Sequence, residues 1–204
     1  MKTKNIIIIG VITIMCLGIV IYVLVKKGKP VNSILFIGDS NTNANFSYAD
    51  QLRQRNPRLT IKKIAMDGAK TDWMFNQLNS ELQNNKYDAV SILGGSNDIY
   101  ALGKTDGAKR ALDAMYNLVH ARGSKVLAVT PPNKDFYVSK TDQKQALLYD
   151  LVDWIKNNKN TDYVIDFHKI TNNKSFFNSS DGYLHAQAPA HSILADQTAQ
   201  KLNV

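Results

Sequence analysis

Residues 33–46, SILFIGDSNTNANF, look like a buried β-strand that ends abruptly in small and polar residues. The apolar run Ile34–Ile37 leads directly into Gly38, Asp39 and Ser40, and a helical pattern follows. A serine in this position has two interpretations. It can cap a helix, which is the commoner explanation for the stretch alone. It can also be a nucleophile held at the carboxyl edge of a sheet.

Five short runs rich in β-branched residues alternate with longer segments of helical periodicity. The predicted strands are Ile34–Ile37, Thr60–Ala65, Ala89–Leu93, Lys125–Val129 and Tyr163–Phe167. The predicted helices are Ser47–Arg55, Thr71–Asn84, Asp106–Arg122, Lys140–Asn158 and Ala186–Leu202. This alternation predicts one three-layer α/β/α domain over residues 33–204, built on a five-stranded parallel sheet.

Chemically useful residues follow three of the predicted strands and precede the last helix. The four segments are Gly38-Asp39-Ser40-Asn41, Met66-Asp67-Gly68-Ala69, Gly94-Gly95-Ser96-Asn97-Asp98 and Asp181-Gly182-Tyr183-Leu184-His185. In parallel α/β sheets, ligands bind beyond the carboxyl ends of the strands. Together the segments supply a hydroxyl, glycine amides, an asparagine amide and a histidine near a carboxylate. That is the set of groups which acyl transfer needs.

The order and spacing of these segments resemble those of the SGNH hydrolases, also called GDSL-type esterases and lipases. The resemblance covers residues 33–202. The matching positions are Gly38-Asp39-Ser40 for the first block, Gly68 for the second, Gly95-Ser96-Asn97-Asp98 for the third and His185 for the last. Each block is weak alone, but their order and their strand-end placement make the combination specific.

The resemblance implies a flavodoxin-like fold and a serine esterase that uses no metal or organic cofactor. Ser40 would attack the ester carbonyl, His185 would take its proton, and Asp181 would orient the imidazole. The oxyanion would be bound by the backbone N–H groups of Ser40 and Gly68 and by the side-chain amide of Asn97.

Two departures from the family pattern bear on this mechanism. The last block is D-x-x-x-H instead of the usual D-x-x-H, so Gly182 occupies the usual carboxylate position. Either Asp181 still reaches His185 Nδ1, or a backbone carbonyl replaces it. In the second block Asp67 precedes Gly68, and a carboxylate beside an oxyanion hole is unfavourable unless it points away.

Other side chains near the predicted strand ends are weaker candidates. His191, in the last helix, is the alternative base should His185 fail, whereas His168 is expected to be structural. Phe136 and Tyr137 follow the fourth strand, where members of the family vary their substrate loops. They are therefore candidates for contact with substrate.

Residues 6–25, IIIIGVITIMCLGIVIYVLV, contain no charged residue and have the length of a membrane-spanning helix. We predict a tail over residues 1–5, a retained anchor in the bilayer over 6–25 and a linker over 26–32. A cleaved signal peptide is less favoured, because the run is long and no small-residue cleavage site follows it. The flanking lysines are nearly balanced, so the predicted extracytoplasmic location of the domain rests on the shortness of the tail.

The net charge of +8 is concentrated beside this apolar run. From residue 31 onward, 20 Lys and Arg residues face 17 Asp and Glu residues, a balance of +3. That is an ordinary surface, so no nucleic-acid partner is predicted. Cys16, the only cysteine, lies within the apolar run, so the sequence predicts neither an internal disulfide nor a thiolate metal site.

The function favoured by the sequence is that of a membrane-tethered serine esterase acting on small acyl esters, with O-acetyl groups on cell-envelope glycans as candidate substrates. A lysophospholipase or thioesterase acting at the membrane is less favoured, because no long apolar acyl channel is visible in the sequence. An alternative from a different class is a catalytically silent SGNH-fold domain with a binding or structural role. The altered D-x-x-x-H spacing is its best support.

Overall fold

The apolar run that ends at Gly38 forms an interior strand of a parallel sheet in a computed structural model, which describes residues 30–204. The strands are β1 (Ser33–Gly38), β2 (Thr60–Ala65), β3 (Ala89–Leu93), β4 (Lys125–Val129) and β5 (Tyr163–Ile165). Their spatial order is β2-β1-β3-β4-β5, and all four pairings are parallel. This flavodoxin-like order has its switch point between β1 and β3, where ligands of open α/β sheets bind.

Helices cover both faces of the sheet. They are α1 (Ser40–Asn43), α2 (Tyr48–Arg55), α3 (Thr71–Asn84), α4 (Ser96–Leu102), α5 (Asp106–Ala121), α6 (Asp142–Asn157), α7 (Phe167–Ile170) and α8 (Ala188–Leu202). Apolar residues of α2, α7 and α8 share one core layer, and those of α3, α5 and α6 share the other. The predicted three-layer α/β/α architecture with a five-stranded parallel sheet is therefore confirmed.

The two core layers explain the continuous apolar sequence of β1. Side chains alternate between the faces of a strand, so Ile34 and Phe36 enter one layer while Leu35 and Ile37 enter the other. All four are fully buried. A polar residue at any of these positions would face a core, which is why the strand shows no alternation of polar and apolar residues.

The register of the sheet brings the carboxyl ends of all five strands level. Gly38 lies opposite both Ala65 and Leu93. Leu93 lies opposite Val129, and Val129 lies opposite Ile165. The segments that follow the strands therefore all begin at one edge of the sheet.

The structure differs from the predicted elements mainly at their ends. The predicted strand Tyr163–Phe167 stops at Ile165, because Asp166 caps α7 by accepting a hydrogen bond from Lys169 N at 3.0 Å. The last helix begins at Ala188, after Ala186 has paired with Phe177 in an antiparallel bridge. The short helices α1, α4 and α7 were not predicted. The other helix boundaries agree with the prediction to within two residues.

The predicted anchor over residues 6–25 lies outside the described residues, as do the tail and most of the linker. Within residues 30–204, no helix combines the length and the apolar character needed to cross a bilayer. The anchor and the orientation of the domain therefore stay predictions.

His191 of α8 lies in the core among the rings of Phe46, Tyr48 and Phe167. Its side chain is fully buried, and neither ring nitrogen has a hydrogen-bond partner of normal geometry among the described residues. Because burial disfavours the imidazolium, the pKa of His191 is lowered to about 4, with only partial compensation from the backbone of Ala186. This histidine is therefore a core side chain, and its position does not suit the base role considered for it.

Replacing His191 by Phe should remove a pH dependence of stability. An unfolded histidine titrates near pH 6.5, so between about pH 4 and pH 6.5 the unfolded chain binds more protons than the folded one. His191 therefore destabilises the native protein as the pH falls through this window, by about 2–3 kcal/mol in total. We expect the free energy of unfolding, measured with urea, to fall less between about pH 7.5 and pH 4.5 for His191→Phe than for the wild type. Equal losses in the two proteins would assign the effect to other groups.

Candidate active site

The turn after β1 is built around Gly38 and Asp39. A Cβ atom on Gly38 would lie 2.1 Å from Thr42 Oγ1 and 2.8 Å from the carbonyl oxygen of Leu93, so only glycine fits there. Asp39 caps α1, because its Oδ1 accepts a hydrogen bond from the backbone N–H of Asn41 at 3.0 Å. Ser40 is consequently the first residue of the helix and is left without the capping role that its sequence context had suggested.

Asp39 is nearly fully buried directly behind Ser40. Burial raises the pKa of this carboxyl group, while hydrogen bonds from Asn41 and the charge of Lys134 lower it. Ser96 Oγ, at the start of α4, also donates to Asp39 Oδ2 at 3.4 Å. The turn that carries Ser40 is thus tied to the segment 94–98 by a buried polar contact.

Asp181 contacts His185 in spite of the additional residue between them. Asp181 Oδ2 lies 2.8 Å from His185 Nδ1, and the same carboxylate accepts hydrogen bonds from the backbone N–H groups of Leu184 and His185 at 3.0 and 3.3 Å. Gly182 and Tyr183 between them both have positive φ, 69° and 64°. Two successive left-handed residues turn the chain back on itself, which accommodates the longer spacing. Of the two arrangements considered for D-x-x-x-H, the structure has the one in which Asp181 reaches Nδ1.

The second and third motif segments are joined by hydrogen bonds. Asn97 Nδ2 donates to the carbonyl oxygen of Ala69 at 3.0 Å. Asp98 accepts from the Thr71 backbone N–H at 3.1 Å and from its hydroxyl at 2.8 Å. The first turn of α4 therefore holds the loop that carries Gly68. Because an amide group has two N–H donors, one donor of Asn97 remains available.

Gly68 adopts a left-handed conformation, with φ of 72°. It is exposed, and a Cβ atom built on it would meet no atom within 4 Å. The backbone N–H of Gly68 is therefore approachable, and its conformation by itself accounts for the glycine. Asp67, beside it, does not point away from the site. Its Oδ1 accepts a hydrogen bond from Asn43 Nδ2 at 2.9 Å, and both residues line the cleft described next.

Ser40, Asp181 and His185 line one open cleft of about 390 Å³ at the carboxyl edge of the sheet. The side chain of His185 is 39% exposed and that of Asp181 is 25% exposed. Within residues 30–204, Ser40 Oγ makes no hydrogen bond, to His185 or to any other group. Catalytic hydrogen bonds commonly tighten only when substrate binds. Ser40 and His185 are therefore related here by lining the same cleft and not by a hydrogen bond. Gly68 and Asn97 are not part of its lining.

Five of the nine other residues that line the cleft carry a side-chain amide. The other residues that line the cleft are Asn41, Asn43, Ala44, Asn45, Phe46, Asp67, Asn178, Ala186 and Gln187. These amides were not predicted from the sequence as cleft residues. The alternating run Asn41-Thr42-Asn43-Ala44-Asn45, directly after Ser40, was the available signal.

Phe136 and Tyr137, considered as substrate contacts, do not line the cleft. The ring of Phe136 packs against Phe177 with centroids 6.0 Å apart, and the ring of Tyr137 packs against Tyr100 at 5.6 Å. Between β4 and these rings lies Lys134, which is 3% exposed and was not predicted from the sequence to be buried. A single lysine in an irregular segment carries no periodic signal that would mark it as buried.

The sequence matches the model of the GDSL-like lipase/acylhydrolase family over residues 36–193. The chain belongs to this family. This confirms the assignment to the SGNH hydrolases, which are the same GDSL-type enzymes, and makes the protein a serine ester hydrolase.

Several solved structures of GDSL-type enzymes are similar to this hydrolase over most of its chain. The esterase EstA from Pseudoalteromonas sp. is 14% identical, with a TM-score of 0.66, covering 84% of this chain and 97% of EstA. Axe2, an acetylxylan esterase from Geobacillus stearothermophilus, is 17% identical, with a TM-score of 0.67 and coverages of 87% and 97%. A lipase/acylhydrolase from Enterococcus faecalis is 22% identical, with a TM-score of 0.67 and coverages of 84% and 95%. At these identities the likeness shows the fold. No curated protein sequence matches this one significantly.

Replacing Gly68 by Ala should destabilise the hydrolase through the backbone alone. The left-handed conformation costs a residue with a Cβ atom about 1–2 kcal/mol, and no clash contributes because the space around Gly68 is open. The matched control is Gly107→Ala in the first turn of α5, where the space is equally open and no positive φ occurs. That change should leave stability unchanged or raise it by up to about 1 kcal/mol. Urea unfolding should therefore show a loss of stability for Gly68→Ala and none for Gly107→Ala, and equal losses in the two variants would contradict the assignment of strain.

Proposed function

We propose that this hydrolase cleaves short acyl esters, foremost O-acetyl groups, carried on polar alcohols such as the sugars of a glycan. The observation that supports this most strongly is the amide-rich cleft around Ser40 and His185. Amide side chains can donate to and accept from hydroxyl groups, whereas a long acyl chain would need a mainly apolar channel.

In the proposed reaction, Ser40 Oγ attacks the ester carbonyl while His185 Nε2 takes its proton. Asp181 fixes the imidazole tautomer through Nδ1 and stabilises the imidazolium. The oxyanion is bound by the backbone N–H groups of Ser40 and Gly68 and by the free N–H of Asn97. His185 then returns the proton to the departing alcohol, and water, activated by the same histidine, releases the acid from the acyl-serine.

The position of Ser40 supports its role as nucleophile. It begins a helix at the end of an interior strand, and the buried carboxylate of Asp39 takes over the capping of that helix. The hydroxyl of Ser40 is therefore not engaged in holding the turn together. The contact between Asp181 and His185 supports their pairing, and it counts against the silent-domain alternative, whose best support was the D-x-x-x-H spacing.

The polar character of the substrate is supported by the cleft itself. Apart from Ala44, Phe46 and Ala186, every lining residue is polar or charged. A lysophospholipase or thioesterase role is correspondingly less supported. One of the similar structures is described as an acetylxylan esterase, which is compatible with an acetylated sugar as substrate.

The proposal also includes tethering of the domain outside the cytoplasm through residues 6–25. Its support is the uncharged apolar run of that segment. Protease treatment of intact cells tests the orientation. Degradation of the domain without lysis is the expected result, and protection until lysis would contradict it.

Ser40→Ala and His185→Ala should each lower kcat for p-nitrophenyl acetate by at least about 10³-fold, because the nucleophile and its base act as one unit. Ser175→Ala, at an exposed serine away from the cleft, is the matched control and should retain wild-type activity. Intact-mass labelling by a fluorophosphonate should add one adduct to the wild type and none to Ser40→Ala. Hydrolysis that survives the Ser40→Ala change would exclude the proposed mechanism.

The lining of the cleft predicts a preference for short acyl groups. We expect kcat/KM to fall at least about tenfold from p-nitrophenyl acetate to the decanoate, because the long chain finds no apolar wall. Acetate should also be released from acetylated xylo-oligosaccharides. Faster hydrolysis of the decanoate, with no acetate released from the sugars, would favour the lysophospholipase or thioesterase alternative instead.

A further inference from the structure

Lys134 lies between the two loops that carry the proposed catalytic residues. It follows β4 in the segment 130–141, and its side chain is 3% exposed. Its Nζ donates a hydrogen bond to the backbone carbonyl oxygen of Leu184, the residue directly before His185. A buried ammonium therefore contacts the histidine loop at the point where the proposed base emerges.

The charges around Lys134 come from both loops. Asp39, behind Ser40, and Asp181, the partner of His185, both interact electrostatically with its ammonium. The ring of Tyr137, in the same segment as Lys134, lies 5.9 Å from Nζ. Burial lowers the pKa of Lys134 to about 8, and the two carboxylates oppose this shift. The ammonium thus interacts electrostatically with one acidic side chain from each loop.

We propose that Lys134 is a positioning residue for ester hydrolysis, whose buried ammonium holds the Asp181–His185 loop against the turn that carries Ser40. This inference rests on the proposed roles of those three residues. Lys134 touches neither the substrate nor the reacting atoms and acts through Leu184 and the two carboxylates. Loss of its proton would leave the Leu184 carbonyl and the buried Asp39 without their cationic partner. The activity of the enzyme would therefore fall at alkaline pH as Lys134 deprotonates.

Other contacts hold the same loop without any charge. The backbone N–H of Val138 donates to the carbonyl oxygen of Gly182 at 3.1 Å, and Phe136 packs against Phe177, which precedes the loop by four residues. These contacts do not titrate. We therefore expect a neutral residue at position 134 to loosen the 181–185 segment while the α/β core remains folded.

Hydrogen exchange tests this positioning without relying on enzyme activity. The N–H groups of Leu184 and His185 donate to Asp181, so their protection reports whether the loop is closed. In Lys134→Met at about pH 6.5, we expect both amides to exchange about tenfold faster than in the wild type, with amides of β1 and β3 unchanged. Lys144→Met is the matched control, since Lys144 also donates to a backbone carbonyl, that of Tyr100, and lies over its ring. It should leave the loop amides unchanged.

The pH profile supplies the second test. With p-nitrophenyl acetate, wild-type kcat/KM should fall about tenfold between pH 7.5 and pH 9.5, mainly through kcat, after subtraction of the rate of Ser40→Ala. Lys134→Arg keeps its charge throughout this range and should lose this alkaline fall, whereas Lys134→Met should be slow at every pH. A purely structural lysine would lower thermal stability without moving the profile.

The outcomes distinguish this inference from the proposed function. Hydrolysis that survives Ser40→Ala would overturn the catalytic mechanism, and the exchange of Leu184 and His185 would still decide whether Lys134 holds the loop. Unchanged exchange in Lys134→Met would overturn the positioning role. If Lys134→Met does not fold, the wild type and Lys134→Arg decide: identical alkaline limbs in these two proteins would likewise overturn it.

Discussion

The site depends first on the register of β1 between β2 and β3. Gly38 lies level with Ala65 on one side and Leu93 on the other, so the segments after three strands start from a common edge. Because β1 is buried on both faces, a register shift would be resisted by both core layers. A slip of one residue would turn Phe36 and Ile37 to the wrong layers and would carry Ser40 away from the Gly68 and Asn97 segments. The geometry of the site is therefore stabilised by apolar packing that lies outside it.

A second constraint comes from charge buried behind the cleft. Asp39 and Lys134 are both almost inaccessible to water, and a buried charge is costly unless it is paired and hydrogen-bonded. Asp39 meets this need through Asn41 and Ser96, and Lys134 through the carbonyl of Leu184. The bonds to Ser96 and to Leu184 join Asp39 and Lys134 to other segments of the site, and the bond from Asn41 fixes the turn before α1. Such a network favours one arrangement of the loops, because any other would leave a charge unpaired.

Much of the fold was predictable because its signals are local. β-Branched runs between periodic helical segments located all five strands, three of them with the bounds that the structure has. One error falls where a single polar residue overrides the pattern, because Asp166 ends β5 early by capping α7. The short helices α1, α4 and α7 gave no periodic signal long enough to be predicted. At the site, the motif segments predicted Ser40, Asp181 and His185, which line one cleft. The sequence could not exclude Phe136 and Tyr137 as substrate contacts, since an aromatic residue in a loop can face either a cleft or a neighbouring ring.

By itself, the sequence determined the alternation of strands and helices, the family and the residue types at the strand ends, because periodicity and motif spacing are properties of short segments. Only the tertiary structure decided that Asp181 reaches His185 across an additional residue, through two left-handed residues at Gly182 and Tyr183. It also decided that Asp39 and not Ser40 caps α1, that His191 is a core side chain, and that Lys134 is buried against the carbonyl of Leu184. Each of these facts depends on contacts between side chains that are distant in sequence, or on the conformation of a turn. Burial and charge pairing arise only from such contacts, so the local sequence pattern does not encode them.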